Sequence, residues 1–485
     1  MSAQSLGRTL LFVAGITFVV ALAGVGARAT YGAQVTADEP QYLITALSIG
    51  EDLNLDISDE LAEERFLDFH EIPLDPQTLE LDDFGQQLSP HDPGLPLLLA
   101  IPMRLGGWQL AKVALAAVAA ATAALTAWVS VRRFDVGVQA AAVVSVAMFT
   151  TPPLTGYATQ VYPEMPAAFL VLVGVAAVVN PAGRPLCRAR QVAALVAVIA
   201  LPWFAVKYAP VAAVLAVALL FSFRDQENPG SPADGRAGLR LGASMAILAV
   251  AGALYLLIHQ RVYGGWTVYA SGDHFVDGEF LVVGNNPNYF GRSQRLLGLL
   301  IDRQFGLVAW APAYVMAVPA LAALTRRRMP GWLLPGALFA AAWAVATWVA
   351  LTMHGWWWPG RQVVVVLPIV AVGLASFVDG RPRLLRTLIG LSALGLLNWL
   401  WLVFETSTNR RTLIVDFAET SSPLYQAWSP LLPDHRSPGT IDVLLTVVWG
   451  GVFLLLAAIA WRDSGKRMAS VGDATNSQAA DASIG

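Results

Sequence analysis

The stretch QVAALVAVIALPWFAVKYAPVAAVLAVALLFSF, residues 191–223, decides how the chain is laid out. It contains two apolar runs, 191–206 and 209–223, interrupted only by Lys207 and Tyr208. As one helix it would send everything after it to the far side of a membrane; as two it is a helical hairpin. Ten further apolar runs recur at 9–27, 109–131, 136–153, 164–180, 241–262, 306–325, 331–353, 362–378, 387–404 and 441–461. Charge decides between the two counts. With two helices here, Arg8, Arg132/Arg133, Arg184/Arg188/Arg190, Arg224/Arg236/Arg240, Arg326–Arg328, Arg381/Arg383/Arg386 and Arg462/Lys466/Arg467 share one side, 18 of the 31 basic residues. With one, Arg326–Arg328 and Arg381–Arg386 would lie opposite Arg132–Arg190. Basic loops face the cytoplasm, so the sequence predicts an all-α polytopic membrane protein of twelve spans with both termini cytoplasmic.

Composition agrees. The 485 residues are 56% hydrophobic and 13% charged, whereas soluble domains carry about 25% charge. A net charge of −3 excludes a general nucleic-acid binder. The single cysteine, Cys187, excludes a disulfide framework and a zinc ribbon. Arg8, an apolar run and Ala27-Arg28-Ala29 imitate a secretory signal, but the run is long enough to span and reads as a retained first helix.

The outer side carries the polar loops 28–92, 263–305, 354–361 and 405–440. Residues 28–92 hold 16 of the 34 acidic residues and two arginines. Spaced apolar residues within them (Leu43, Leu53, Leu55, Ile57, Leu61, Phe66, Phe69) predict a loop packed on the outer surface rather than disorder. From Pro93 to Gly107 the chain is apolar for only about a dozen residues, which suits a helix lying along the interface or re-entering. The tail beyond Trp461 reads as disordered.

Ionisable groups against the hydrocarbon are costly and mark function by default. On the outer boundary these are Asp38 and Glu39, His91 and Asp92, Glu164, Lys207, Arg303, and His354 and Arg361 around Trp356-Trp357-Trp358. Each has a plainer explanation. Asp38 can cap a helix that starts at Pro40, and Glu164 can sit on a helix dipole. Lys207 can snorkel, and Arg303, Arg361 and the tryptophans can form an interfacial belt. His70, His259, His274 and His435 read as surface or loop residues without a role, and no metal motif is present. The run Asp52–Asp59 lacks the glycine and closing glutamate of an EF-hand, so calcium is not expected of it. Carboxylates beside cations at the depth of a lipid headgroup suit transfer from a lipid-linked phosphate. Arg and Lys hold the leaving phosphate, and a carboxylate takes the proton of an incoming hydroxyl.

At these residues the sequence resembles the GT-C superfamily of integral membrane glycosyltransferases, in its bacterial protein-mannosyltransferase-like and aminoarabinose-transferase-like branches. The resemblance covers roughly residues 9–380. It rests on Asp38-Glu39-Pro40-Gln41-Tyr42-Leu43 opening the first outer loop, His91-Asp92-Pro93-Gly94-Leu95-Pro96, Tyr157–Glu164 ahead of the fourth helix, Leu299–Leu307, and Gly360-Arg361. It implies a conserved module, 1–262, with juxtamembrane helices in the outer loop 28–108. A variable helical part, 263–461, and a cytoplasmic tail, 462–485, follow. The implied activity is inverting transfer of a sugar from a polyprenyl-phosphate donor to a cell-envelope glycan, lipid or protein acceptor on the outer face of the cytoplasmic membrane. By position Asp38 is then the base, Glu39 its support and Glu164 the second acid. Lys207, Arg303 and Arg361 are candidates for the donor phosphate, and Tyr42, His91, Asp92, Tyr162, His354 and Trp356 for the substrate cavity. Some members use a divalent cation and others do not, and the motifs leave both open. The rival reading is a multipass transporter or lipid-linked-sugar flippase. It calls for repeated halves and charges near the midplane, whereas here the charges crowd one interface.

Overall fold

The computed structural model describes residues 3–78, 85–180, 186–224, 234–272, 287–327 and 331–482. Arg184, His274 and Arg328 lie outside the described residues, as do the side chains of Arg224, Arg236, Lys466 and Arg467. The described chain is helical, with isolated bridges only between Thr30 and Leu88. The first helix, α1 (Ala3–Leu22), leads into α2 (Glu39–Glu51) and the short α3 (Ser58–Ala62). Next come α4 (Gly94–Arg133), α5 (Val138–Phe149), α6 (Glu164–Val178), α7 (Arg188–Phe204), α8 (Ala209–Arg224) and α9 (Asp234–Val262). Three short helices follow, α10 (Tyr289–Arg292), α11 (Arg295–Ile301) and α12 (Leu307–Trp310). The chain ends with α13 (Ala317–Arg327), α14 (Leu333–Ala344), α15 (Leu367–Val378), α16 (Pro382–Ser407), α17 (Pro423–Trp428) and α18 (Thr440–Ala482).

The deciding stretch is two helices. α7 ends at Phe204, two residues past Pro202; Ala205 is extended (φ −169°, ψ 137°), and a 3₁₀ turn at Val206–Tyr208 leads into α8. Pro202 and Pro210 each remove a backbone donor on either side of the break. The freed Val206 N–H donates to Asp92 Oδ2 at 3.0 Å.

A helix lies in each of the twelve expected spans. Among the described residues six helices are long and apolar enough to cross a membrane, and other apolar helices have 10–17 residues. Helix length alone therefore does not give the count of crossings. Two helices, α6 and α15, are apolar on all sides and buried nearly all round, which makes them the centre of the bundle. On α9 and α18 the apolar side chains Leu254, Leu257, Leu444 and Leu454 face outward, as lipid contact requires.

α4 is two helices joined at a kink. Gly106 has φ −155°, ψ 23° and Gly107 has φ 60°, ψ −157°, and the second of these conformations belongs essentially to glycine. The short piece before the kink covers the segment expected at the interface, and the piece after it covers the second expected span.

The loop of residues 28–92 is folded where it is described. Leu43, Ile57, Phe66 and Phe69 are buried, whereas Leu53 is exposed. The loop after α16 is pinned to it by Leu413 N–H donating to Arg28 O (2.8 Å) and Tyr31 O–H to Asp416 (2.7 Å). Two sequence expectations change. His70 and His435 do lie in loops, but they and His259, on α9, are buried, and each finds a backbone or carboxylate partner inside. The terminal helix also runs on to Ala482, through most of the segment expected to be disordered.

Candidate active site

Proline sets both acidic positions. α2 begins at Glu39 with Pro40 in its first turn, so Asp38 occupies the N-cap place, yet its carboxylate makes no capping hydrogen bond. Instead it accepts from Arg361 Nη2 at 2.6 Å and from Gln77 Nε2 at 3.2 Å. Glu164 follows Pro163 as the first residue of α6 and is fully buried. Its Oε1 accepts from Lys207 Nζ at 2.6 Å and from Arg361 Nε at 3.3 Å. One guanidinium thus joins two carboxylates, and the second carboxylate also holds the lysine supplied by the break between α7 and α8.

Arg361 is aimed by its surroundings. Its guanidinium carbon lies 4.2 Å from the Tyr162 ring centroid and 4.8 Å from that of Trp357. Such stacking suits a planar, weakly hydrated cation. The preceding Gly360 has φ +85°, and a Cβ there would meet Leu307 Cδ2 at 2.9 Å and Pro153 Cγ at 3.0 Å. Tyr157 O–H donates to the Trp358 carbonyl, and Trp358 N–H donates to Gln160 Oε1 at 3.3 Å, tying this loop to the segment before α6.

Tyr42 and His91 stack with centroids 4.4 Å apart beside Tyr162. Burial would raise the Asp38 carboxyl, but Arg361, His91 and Gln77 together hold it well below the usual carboxylate range. Burial lowers His91 despite the neighbouring Asp38. Several buried polar atoms around the cluster lack a hydrogen-bond partner: Glu164 Oε2, Tyr162 Oη, Tyr208 Oη and His91 Nε2.

Other sequence candidates lie elsewhere. Glu39 is buried and spent on backbone, accepting from Val161 N–H (2.7 Å) and Thr36 N–H (3.0 Å); burial raises it, and Lys112 partly offsets this. It locks the start of α2 to the segment before α6. Asp92 does the same for α4, accepting from His259 Nε2 and Tyr255 O–H, both at 3.0 Å, besides Val206. The structure does not bring Arg303 to the cluster. It pairs with Asp442 Oδ1 at 3.1 Å and with the Leu432 carbonyl at 3.1 Å, because the loop before α18 folds over it. His354 faces Asp302 Oδ2 at 3.6 Å, together with His435 at 3.4 Å. Trp356 is 65% exposed, and its neighbour Trp357 takes the place expected of it. Gln77, Trp357 and Tyr208 carry no motif that sequence reading could find; the Trp-Trp-Trp run marked the place of Trp357 without saying which ring turns inward. As for a metal, Asp38 and Glu164 are each already paired with a cation, so these residues do not form an open carboxylate cage for a divalent ion.

No protein-family profile and no curated protein matches the sequence. Two solved structures match the fold: ArnT from Cupriavidus metallidurans bound to undecaprenyl phosphate, with a TM-score of 0.52, and the same protein in its apo state, with 0.50. Each is 17% identical, and each alignment covers 97% of this chain and 80% of the other. This likeness shows one architecture: the chain shares the fold of ArnT.

Proposed function

We propose that the chain is a membrane glycosyltransferase that moves a sugar from a polyprenyl-phosphate donor to a cell-envelope acceptor on the outer face of the cytoplasmic membrane. The observation that carries this reading is the bridge of Arg361 between Asp38 and Glu164, with Lys207 on the same Glu164 oxygen. A structural neighbour that binds undecaprenyl phosphate supports the class of donor.

In this reading Lys207 and Arg361 hold the donor phosphate, with Glu164 fixing both cations. Arg361 turns from Asp38 towards the phosphate, which frees the carboxylate. Asp38 takes the proton of the acceptor hydroxyl as that oxygen bonds to the anomeric carbon. The carbon–oxygen bond to phosphate breaks on the opposite face, so configuration inverts and the polyprenyl phosphate leaves carrying the electron pair. The two cations stabilise the charge that develops on it. Glu39 and Asp92 hold the helix starts that frame the site.

The test is transfer by full-length protein in vesicles, offered polyprenyl-phosphate sugars and envelope acceptors, with mass spectrometry of envelope glycans from a deletion strain naming the pair to try. Asp38→Asn is expected to lower turnover by roughly 10²–10⁴-fold, the range of a lost general base, while leaving binding of undecaprenyl phosphate within a few-fold. Unchanged turnover in Asp38→Asn rejects the base assignment, and an unaltered glycan and lipid-linked-sugar profile in the deletion strain rejects the transferase.

A further inference from the structure

A second group of carboxylates lies at the other end of α2. Asp52 is the residue that ends this helix, and Asp59 and Glu60 lie in the first turn of α3. Each of the three places one oxygen within 4.8 Å of the others. Asp52 and Asp59 are exposed, but Glu60 is only 3% exposed, and neither of its carboxylate oxygens has a hydrogen-bond partner. Among the described residues no basic side chain pairs with any of the three. The neighbouring Arg65 is spent in a two-pronged pair on Glu51, 3.1 Å at each oxygen, with Glu63 at 3.9 Å.

A buried carboxylate without partners is a costly arrangement, and two more carboxylates facing it add repulsion. The geometry fits a single compensating group. Calcium takes carboxylate oxygens at about 2.3–2.6 Å, so two oxygens on one ion are at most about 5 Å apart. The exposed side of Asp52 and Asp59 leaves room for the water ligands that fill six to eight positions. Lysine or arginine would supply one charge where three are present.

We propose that Asp52, Asp59 and Glu60 bind a hard divalent cation, calcium above all, which clamps the C-terminal end of α2 to α3. The spacing is not that of an EF-hand; the fold, by turning the chain between α2 and α3, brings the three together. α2 has 13 residues and is about 20 Å long at 1.5 Å per residue, so the ion lies far from Asp38 and takes no part in group transfer. It holds the helix whose opposite end presents that residue.

The test reads binding rather than transfer, so it stands or falls apart from the transferase reading. Full-length protein in detergent, stripped with EDTA, is titrated with calcium chloride and followed by equilibrium binding of radioactive calcium and by the apparent melting temperature. Saturable binding at one site with a rise in melting temperature is expected, with affinity in the 10⁻⁴–10⁻³ M class of extracellular sites. Asp59→Asn and Glu60→Gln should each weaken binding at least tenfold and remove the thermal shift. If Glu60→Gln fails to fold, Asp52→Asn, at an exposed position, carries the same expectation. Equal calcium binding in wild type and variants, or no saturable binding of calcium, magnesium or manganese by wild type, overturns the proposal. So does a thermal shift that survives in all three variants.

Discussion

Arg361 reaches Asp38 at 2.6 Å across 323 residues of sequence, and the same guanidinium touches Glu164 at 3.3 Å. This pair closes the two halves of the chain on each other: Asp38 stands at the entrance to α2, Glu164 opens the central α6, and Arg361 comes from the loop ahead of α15. A charge on each is tolerable in this place only because the others are present. The site is thus assembled by the fold and cannot be built from either half.

Removal of either cation is expected to weaken the binding of undecaprenyl phosphate. A hydrogen bond to a charged group contributes about 1.5–3 kcal/mol, so Arg361→Ala and Lys207→Ala should each raise the dissociation constant roughly 10- to 150-fold. Arg361→Lys should recover little, since a lysine cannot stack flat between Tyr162 and Trp357 or reach two carboxylates at once. The check is titration of the variants with the lipid in nanodiscs. Affinity equal to wild type in both alanine variants would remove these residues from the phosphate site.

Glu164 acts through Lys207 and Arg361, and its substitution should show it. Glu164→Gln keeps the shape but leaves two cations facing each other in a buried place. Breaking a buried pair in this way costs about 3–5 kcal/mol, seen as a lower apparent melting temperature. The double variant Glu164→Gln/Lys207→Met should be more stable than Glu164→Gln alone, because it removes one of the stranded charges. Additive losses in the two single variants and the double would contradict the coupling.

Much of this arrangement was legible in the sequence, and the reasons differ by residue. Asp38, Glu164, Lys207 and Arg361 stand out because charge against a membrane boundary is rare; Pro163 and Gly360 also stand directly before Glu164 and Arg361, and Pro40 follows Asp38 two residues on. The hairpin of α7 and α8 was legible from loop charge alone. Arg303 satisfied the same criterion and lies elsewhere, since depth in the membrane says nothing about direction around the bundle; only the folding of the loop before α18 gives Asp442 to it. His259 was invisible for the opposite reason. It sits in an apolar helix without a motif, and only the approach of α4 brings Asp92 to it. The same holds for Gln77, a neutral residue in a loop.

Gln77 offers a readout on Asp38 without touching the cations. Asp38 is held below the usual carboxylate range, and one contributor is the hydrogen bond from Gln77. The folded-state value is lower than the unfolded one, so the ionised carboxylate contributes stability above the unfolded value, near 3.9. That contribution is lost only as pH falls through the folded value. Gln77→Ala should raise the folded value. The acid limb of kcat/KM, which reports the free enzyme, should then move to higher pH while the plateau changes by less than about tenfold. A limb that stays in place would show that Asp38 is not the group titrating there.

The kink in α4 gives a prediction about the scaffold. Gly107 has φ 60° and ψ −157°, a region held essentially by glycine, where another residue costs on the order of 1–3 kcal/mol. Gly106, at φ −155° and ψ 23°, carries no positive φ. A Cβ at Gly106 would meet Leu110 Cβ at 2.8 Å, so Gly106→Ala is strained by contact, whereas Gly107→Ala should lower the apparent melting temperature through its backbone alone. It should also reduce transfer, because the segment before the kink starts beside Asp92, and Asp92 anchors both the α7–α8 break that supplies Lys207 and the buried His259. Thermal unfolding of Gly107→Ala and wild type, measured in the same detergent, decides it. Equal stability of Gly107→Ala and wild type would mean that the juxtamembrane piece and the span are joined by an ordinary helical turn.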